Sequence, residues 1–289
     1  MTTIRCASHA GSWYSDDEKV LSSSMERWSK DVEQSKEDVK GIIVPHAGYR
    51  FCGETSGKVF GQVRGKSYKY IFVLGPLHHF RTQKCLLSQM NYYSTPFGNV
   101  PVANDINLSL YETGHFDYID TYEEENEHSI EMEIPFIKYF IKEGYQIIPI
   151  YVGQVLDNYH YIYAQCLSEY MSSSDALFVI SSDFTHWGER FRYTYLPDTS
   201  VPIYEGISRG DMKAVKSIEK QDPQSFWEYI EKTKITICGR HAIDIYLTIL
   251  SILSLPSSTK LIHYAQSSQV ESSFDSSVSY CSIITKLST

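Results

Sequence analysis

The sequence predicts an α/β fold: one domain with a mostly parallel central sheet flanked by helices. Three observations predict it. Short apolar runs of strand length recur along the 289 residues, patterns of helical period lie between them, and no linker-like stretch divides the chain. Apolar runs without polar alternation mark strands buried on both faces, and parallel strands need crossover segments to join them. A single domain is therefore expected to span 1–289.

Taken in order, Asp16–Val32 has the pattern of a solvated helix, with the charged piece Asp31–Lys40 as the loop after it. Gly41–Val44 is the first buried strand and Tyr70–Leu74 the second. Asn91–Val102 suggests two extra strands in a hairpin around Phe97-Gly98-Asn99. Glu131–Lys142 places Ile134, Ile137 and Ile141 on one helical face and has Gly144 as its stop. Pro135 lies early in this segment, so the helix either starts late or kinks. Gln146–Val152 is a strand, Tyr159–Met171 a helix and Ala176–Ile180 a strand. Asp222-Pro223 supplies a cap and first residue for a helix through Lys232. Arg240–Leu253 carries Ile243, Tyr246, Leu247, Leu250 and Leu253 as a 3.6-period stripe. Leu261–Ala265 and Ser277–Leu287 complete the strands.

Composition excludes some functions. Hydrophobic residues at 42% suffice for a sizeable core, and 26 Lys and Arg against 35 Asp and Glu leave a net charge of −9. That balance opposes general nucleic-acid binding, although Arg190, Arg192 and Arg240 could form a local basic patch. The apolar runs fall far short of the ~20 residues a membrane span needs. No secretion signal is visible. The six cysteines show no CxxC spacing and no disulfide framework, so a reducing compartment is expected, the cytoplasm first and the nucleus as a further location.

Ligands of open α/β sheets bind beyond the carboxyl ends of the strands. Pro45-His46-Ala47-Gly48-Tyr49 follows the first strand and Gly75-Pro76-Leu77-His78-His79 the second. Ser181 to Gly188, with Asp183 and His186, follows the Ala176–Ile180 strand, and Gln266 follows Leu261–Ala265. A lone histidine in a loop is ordinarily a surface residue. Histidines collected at one sheet edge beside a carboxylate instead suggest a polar pocket or a site for Fe, Zn, Cu or Ni. Glu127 and His128 belong to a polar segment where the acid suits a helix start and the imidazole is unexplained. Cys238 precedes Gly239, Arg240 and His241 at a helix start, where a thiolate is favoured as ligand or nucleophile; the plainer reading is a small buried cysteine. Ser8–Tyr14, with His9 and Trp13, could form a wall of the pocket.

These segments resemble the Memo family nearly end to end: SHAGSWY at Ser8–Tyr14, PHAGY at Pro45–Tyr49, GPLHH at Gly75–His79, EHSIEM at Glu127–Met132, SSDFTHWG at Ser181–Gly188, RFRY at Arg190–Tyr193, ICGRH at Ile237–His241, YAQSSQ at Tyr264–Gln269 and DSSVSY at Asp275–Tyr280. The resemblance implies a fold similar to class III extradiol dioxygenases. It implies copper or iron as the metal, with His46, His78 and Cys238 as ligands and Asp183 as a further ligand or hydrogen-bond acceptor. His186 would be the acid/base group, with Asp183 beside it in the catalytic pocket. His9, Trp13, His79, His128, Arg240, His241 and Gln266 are expected to line that pocket. Cys238 stands where the dioxygenases have a carboxylate, and a thiolate shifts preference toward softer metals such as Cu(I). Ring cleavage is therefore not expected, and metal-dependent redox chemistry with O₂ or superoxide is. The family also implies recognition of phosphotyrosine-containing or acidic peptides. A non-catalytic peptide-binding adaptor in signalling and cell motility is accordingly the first rival reading, and a dioxygenase-like enzyme the second. Neither nucleic acid nor membrane is an expected partner.

Overall fold

The structure is a computed structural model that describes residues 2–173 and 175–287. Its strands, in chain order, are β1 Ile4–Arg5, β2 Val39–Val44, β3 Tyr70–Pro76, β4 Cys85–Leu87, β5 Tyr92–Tyr93, β6 Val100–Pro101, β7 Asp117–Tyr118, β8 Gln146–Val152, β9 Ala176–Ser181, β10 His186–Trp187, β11 Ser257–Gln266 and β12 Ser277–Leu287. The helices are α1 Glu18–Trp28, α2 Tyr49–Phe60, α3 Asn104–Glu112, α4 Thr121–Asn126, α5 Ile134–Phe140, α6 Asp157–Ser172, α7 Ile203–Glu219, α8 Pro223–Thr233 and α9 Arg240–Leu253.

Four apolar runs form the middle of a nine-stranded sheet because they have no polar face to offer solvent. β2, β9, β3 and β8 lie side by side and parallel, with Ile42 opposite Val179, Val179 opposite Val73, and Val73 opposite Pro149. Successive side chains point to opposite faces. Phe72, Leu74, Phe178 and Ile180 enter one core, packed against α6, α7, α8 and α9. Ile71, Val73, Leu177 and Val179 enter the other, packed against α1, α2 and α5. Each fully buried side chain of this size contributes roughly 1.5–3 kcal/mol.

The flanks are antiparallel. β12 pairs antiparallel with β2, β11 and β10, and β4 pairs antiparallel with β8. β11 therefore runs in the same direction as the central strands, but β12 separates it from them. β1, β5 and β6 form a second, three-stranded sheet. There the expected hairpin turns between Thr95 and Gly98, which exchange backbone hydrogen bonds.

The Glu131–Lys142 segment resolves as a 3₁₀ turn at Glu131–Glu133 followed by α5, with Pro135 in the first helical turn. The helix starts late and does not kink. It also stops before Gly144, because Ile141 is already extended. Helices α2, α3, α4 and α7 lie where no helix is expected from the sequence. All six cysteines are unpaired. No helix of the described residues is long and apolar enough to cross a membrane.

Candidate metal centre

The parallel strands end together, so the loops behind them meet. His46 follows β2 and is 2% exposed. Its Nδ1 lies 2.7 Å from the Ser181 hydroxyl at the end of β9, and its backbone N–H donates to Asp183 Oδ1 at 2.9 Å. The Ser181 hydroxyl has a single proton to donate. It faces two acceptors, the Ser129 carbonyl at 2.7 Å and Glu133 Oε1 at 2.9 Å. Ser181 must therefore accept from His46, which places the His46 proton on Nδ1 and leaves Nε2 as a lone pair.

His78, just past β3, is oriented by Glu127. The carboxylate accepts the His78 backbone N–H at 2.6 Å, lies 2.9 Å from Nδ1, and accepts the Ser129 N–H at 2.9 Å. A carboxylate on Nδ1 fixes the ring and directs Nε2 outward, the usual support of a metal-ligating histidine. The acid of this segment thus serves His78; Glu127 closes α4 and does not open a helix. His128 stacks on His78 with ring centroids 4.5 Å apart. His46, His78 and His128 each offer a ring nitrogen within 4.8 Å of the others, a group that could hold a metal ion.

Cys238 reaches the same place from the start of α9. Its Sγ lies 3.2 Å from His46 Nε2 and accepts the Asp183 N–H at 3.1 Å. Gly239 makes this approach possible. A Cβ there would fall 2.5 Å from Ser182 Cβ and 2.6 Å from the Ser181 carbonyl. The helix start does not by itself yield a thiolate. Burial pushes the Cys238 thiol up, and the hydrogen bond with His78 pulls it back only in part.

Burial, then His78, His128 and His186, hold His46 well below its ordinary pKa. His128 is lowered to about 3, by burial first and then by His78. Both rings are neutral and ready to ligate. Burial also pulls His78 down, but hydrogen bonds with Cys238 and Glu127 outweigh it and raise His78 to about 10. Burial would raise Glu127, yet His78 brings it to about 2. Asp183 is raised by burial, with His186 and the His46 amide opposing.

His186 stands across the pocket at β10. Its Nδ1 faces two carbonyls, Phe184 at 2.9 Å and Thr236 at 3.1 Å, so that nitrogen carries the proton. Nε2 is left as the basic atom.

The site opens into a cleft of about 1140 Å³ that His46, His78, His128, Asp183 and His186 line together. Trp13 forms part of its wall, its ring 4.7 Å from His128 and 5.2 Å from His9. His9 itself is tied to Glu131 through its N–H at 2.8 Å and Nδ1 at 2.9 Å. His79 is exposed, with its ring 6.2 Å from His128. Of the residues expected to line this cleft, Trp13 and His128 do so, whereas His9, His79, Arg240, His241 and Gln266 do not. Arg240 and His241 border a smaller cavity of about 160 Å³ behind His78 and Cys238. Gln266 is hydrogen-bonded to the Tyr204 carbonyl and the Tyr264 hydroxyl, because β12 keeps β11 away from the central strands. Among the supporting groups, the sequence marks Glu127 only as suiting a helix start and assigns no role to Ser181 and Glu133. Ser181 directly follows an apolar run and Glu127 directly precedes a histidine, which is their signal; Glu133 carries none.

A family model described as Memo-like protein matches residues 5–284. The chain belongs to the Memo family. It is 40% identical to "Protein memo-1 homolog" of Caenorhabditis elegans over 96% of this chain and 81% of that protein. It is 39% identical to "Protein MEMO1" of Rattus norvegicus and 38% identical to that of Homo sapiens, each over 96% of this chain and 95% of the relative. An uncharacterized protein of Escherichia coli K12, solved by crystallography, shares the fold with a TM-score of 0.51 at 12% identity, over 85% of this chain and 99% of that one. Membership in the Memo family accounts for the ordered set of motifs around the pocket.

Proposed function

We propose that this Memo-family chain is a cytoplasmic metal-binding protein that holds copper or iron on His46 and His78 and supports redox chemistry there. The observation that carries the reading is the set of three clustered imidazoles, two of them with Nδ1 anchored so that Nε2 is presented. The donors fit such an ion. Neutral imidazole suits Fe and Cu, and the Cys238 sulfur beside His46 adds a soft donor that suits Cu(I). Cys238 completes the ligand set in this reading, with His128 as the competing third donor. When bound, the metal would exchange an electron with a small oxidant such as O₂ or superoxide. His186 Nε2 is placed to take or return a proton in the cleft, and the Asp183 carboxylate beside it stabilises the charge that results.

Anaerobic titration with Cu(I) and Fe(II) tests the reading on wild type, His46→Ala, His128→Ala and Cys238→Ser. His46→Ala should lose both metals. Cys238→Ser should weaken Cu(I) more than Fe(II), whereas His128→Ala should leave that ratio intact. Unchanged binding in His46→Ala would remove the site. Simple catechols should give no ring-opened product.

The cleft also supports a second reading, in which it binds an acidic or phosphotyrosine-containing peptide. Arg27, Arg50 and Arg190 line it, as do the half-exposed rings of Trp13 and Phe51. Arg190→Gln should weaken such a peptide and leave metal binding unchanged.

A further inference from the structure

Between α6 and α9, three side chains form a relay with no part in the chemistry above. His160 of α6 is 4% exposed and Asp244 of α9 is 6% exposed. His160 Nδ1 lies 3.1 Å from Asp244 Oδ2, and His160 Nε2 lies 2.9 Å from His241 Nδ1. The Trp227 ring of α8 packs on both imidazoles, 5.1 Å from each. A carboxylate accepts only, so His160 donates from Nδ1. With His160 neutral, its Nε2 accepts the His241 Nδ1 proton, and the lone pair of His241 Nε2 is the group left for a ligand. Should a proton arrive at that atom, the chain can pass positive charge inward to the Asp244–His160 pair.

His241 lines a cavity of about 500 Å³ together with Arg81, Gln154, Leu156, Trp227 and Arg240. Two guanidiniums face this space, and among the described residues neither has a carboxylate within ion-pair distance. Among the described residues, the Arg240 guanidinium donates one hydrogen bond, to the Ile237 carbonyl at 3.3 Å. Among the described residues, Glu231 is the one acid in the lining. Arg240 is only partly exposed, and holding its charge there without a counter-ion is costly; an oxyanion bound by Arg240 and the exposed Arg81 recovers that cost through charge-assisted bonds.

We propose that this cavity is a second binding site, which takes a small organic anion bearing an acidic O–H and a flat apolar body, such as an aryl phosphate monoester. Arg81 and Arg240 hold the oxyanion, His241 Nε2 accepts the acidic O–H, and the flat body lies against Trp227. The low basicity of His241, brought to about 3 by burial, Arg240 and His160, agrees with a neutral acceptor. The proposal does not depend on a metal at His46 and His78.

The test uses the indole N–H signals of the four tryptophans in the ¹⁵N-labelled full chain, with Trp227 assigned by Trp227→Phe. Phenyl phosphate at low ionic strength should shift the Trp227 signal saturably, and neutral benzyl alcohol should not. Arg81→Gln combined with Arg240→Gln should weaken the response at least tenfold. Arg81→Gln alone, at an exposed position, should weaken it measurably and keeps the test valid if the double variant misfolds. The buried Trp187 signal reports that the fold is intact. Arg190→Gln, in the main cleft, should leave the Trp227 response unchanged. The proposal fails if Trp227 does not respond, if benzyl alcohol shifts it equally, if Arg81→Gln has no effect, or if Arg190→Gln abolishes the response.

Discussion

Glu127 orients His78 and, together with Cys238, favours its charged form. Its carboxylate meets the His78 N–H and ring, and its pKa of about 2 beside a His78 of about 10 describes one shared proton. A metal ion has to displace the proton on His78 Nε2. Affinity should therefore rise with pH, by about tenfold per unit where that proton is the one released, until pH approaches the His78 value of about 10. In Glu127→Gln the Cys238 hydrogen bond remains but the Glu127 share of the raised His78 basicity is lost, so the rise should level off at a lower pH than in wild type. The plateau affinity should also fall by about 10–100-fold because the ring is no longer oriented. Titrations with Fe(II) at several pH values check this, and a pH profile that Glu127→Gln leaves unaltered counts against it. Stability carries the same signature. A raised His78 stabilises the fold fully below its ordinary value of 6.5, and the contribution disappears as pH climbs through about 10.

At the scale of elements, close approach of backbones positions the ligands. Gly75 lies in β3, and a Cβ on it would meet Ser129 Oγ at 2.7 Å and Ile130 Cγ1 at 2.8 Å. Gly75→Ala should push the Glu127–Glu131 segment off β3, costing about 1–3 kcal/mol and weakening metal binding through the lost hold on His78. Thermal melts and Fe(II) titration should change together; a drop in stability with unaltered affinity would show that the segment can move without the ligand. The same small-residue logic hid α2 from the sequence. In Tyr49–Phe60 the face toward α1 is made by Gly53 and Gly57, which admit Trp28 at distances no larger residue allows. Glycines there lower helix propensity and leave no apolar stripe to read. Strand ends were legible for the opposite reason: the uncharged runs Gly41–Val44, Tyr70–Leu74 and Ala176–Ile180 within β2, β3 and β9 are followed closely by His46, His78 and Asp183. The Asp244–His160–His241 relay left no such trace. It joins two helices, and their contact depends on how they cross, which spacing along the chain does not encode.

Across the whole molecule, the N-terminal segment is fastened to the site by one buried ion pair. Arg5 is 1% exposed and donates to Glu131 Oε2 at 2.7 Å, to the Glu127 carbonyl at 2.6 Å and to the Glu124 carbonyl at 3.1 Å. Glu131 also accepts from His9 and from the Tyr14 hydroxyl at 2.9 Å, so it joins β1, the Trp13 wall and the histidine loop. Burial would raise the Glu131 carboxyl, but His9 and Arg5 outweigh it and lower it to about 2. A carboxylate lowered in the folded state stabilises above its ordinary value of 4.5 and loses that contribution as pH falls through about 2. Glu131→Gln removes the charge and leaves Arg5 buried without its partner, which costs about 3–5 kcal/mol. Denaturant unfolding of wild type and variant should thus differ by a constant amount from neutrality down to about pH 5. The gap should narrow below that and close near pH 2, where wild-type Glu131 is itself protonated. A gap that persisted undiminished at pH 2 would mean that the pair stabilises through shape and packing, and that its charge contributes nothing to holding the N-terminal wall against the metal centre.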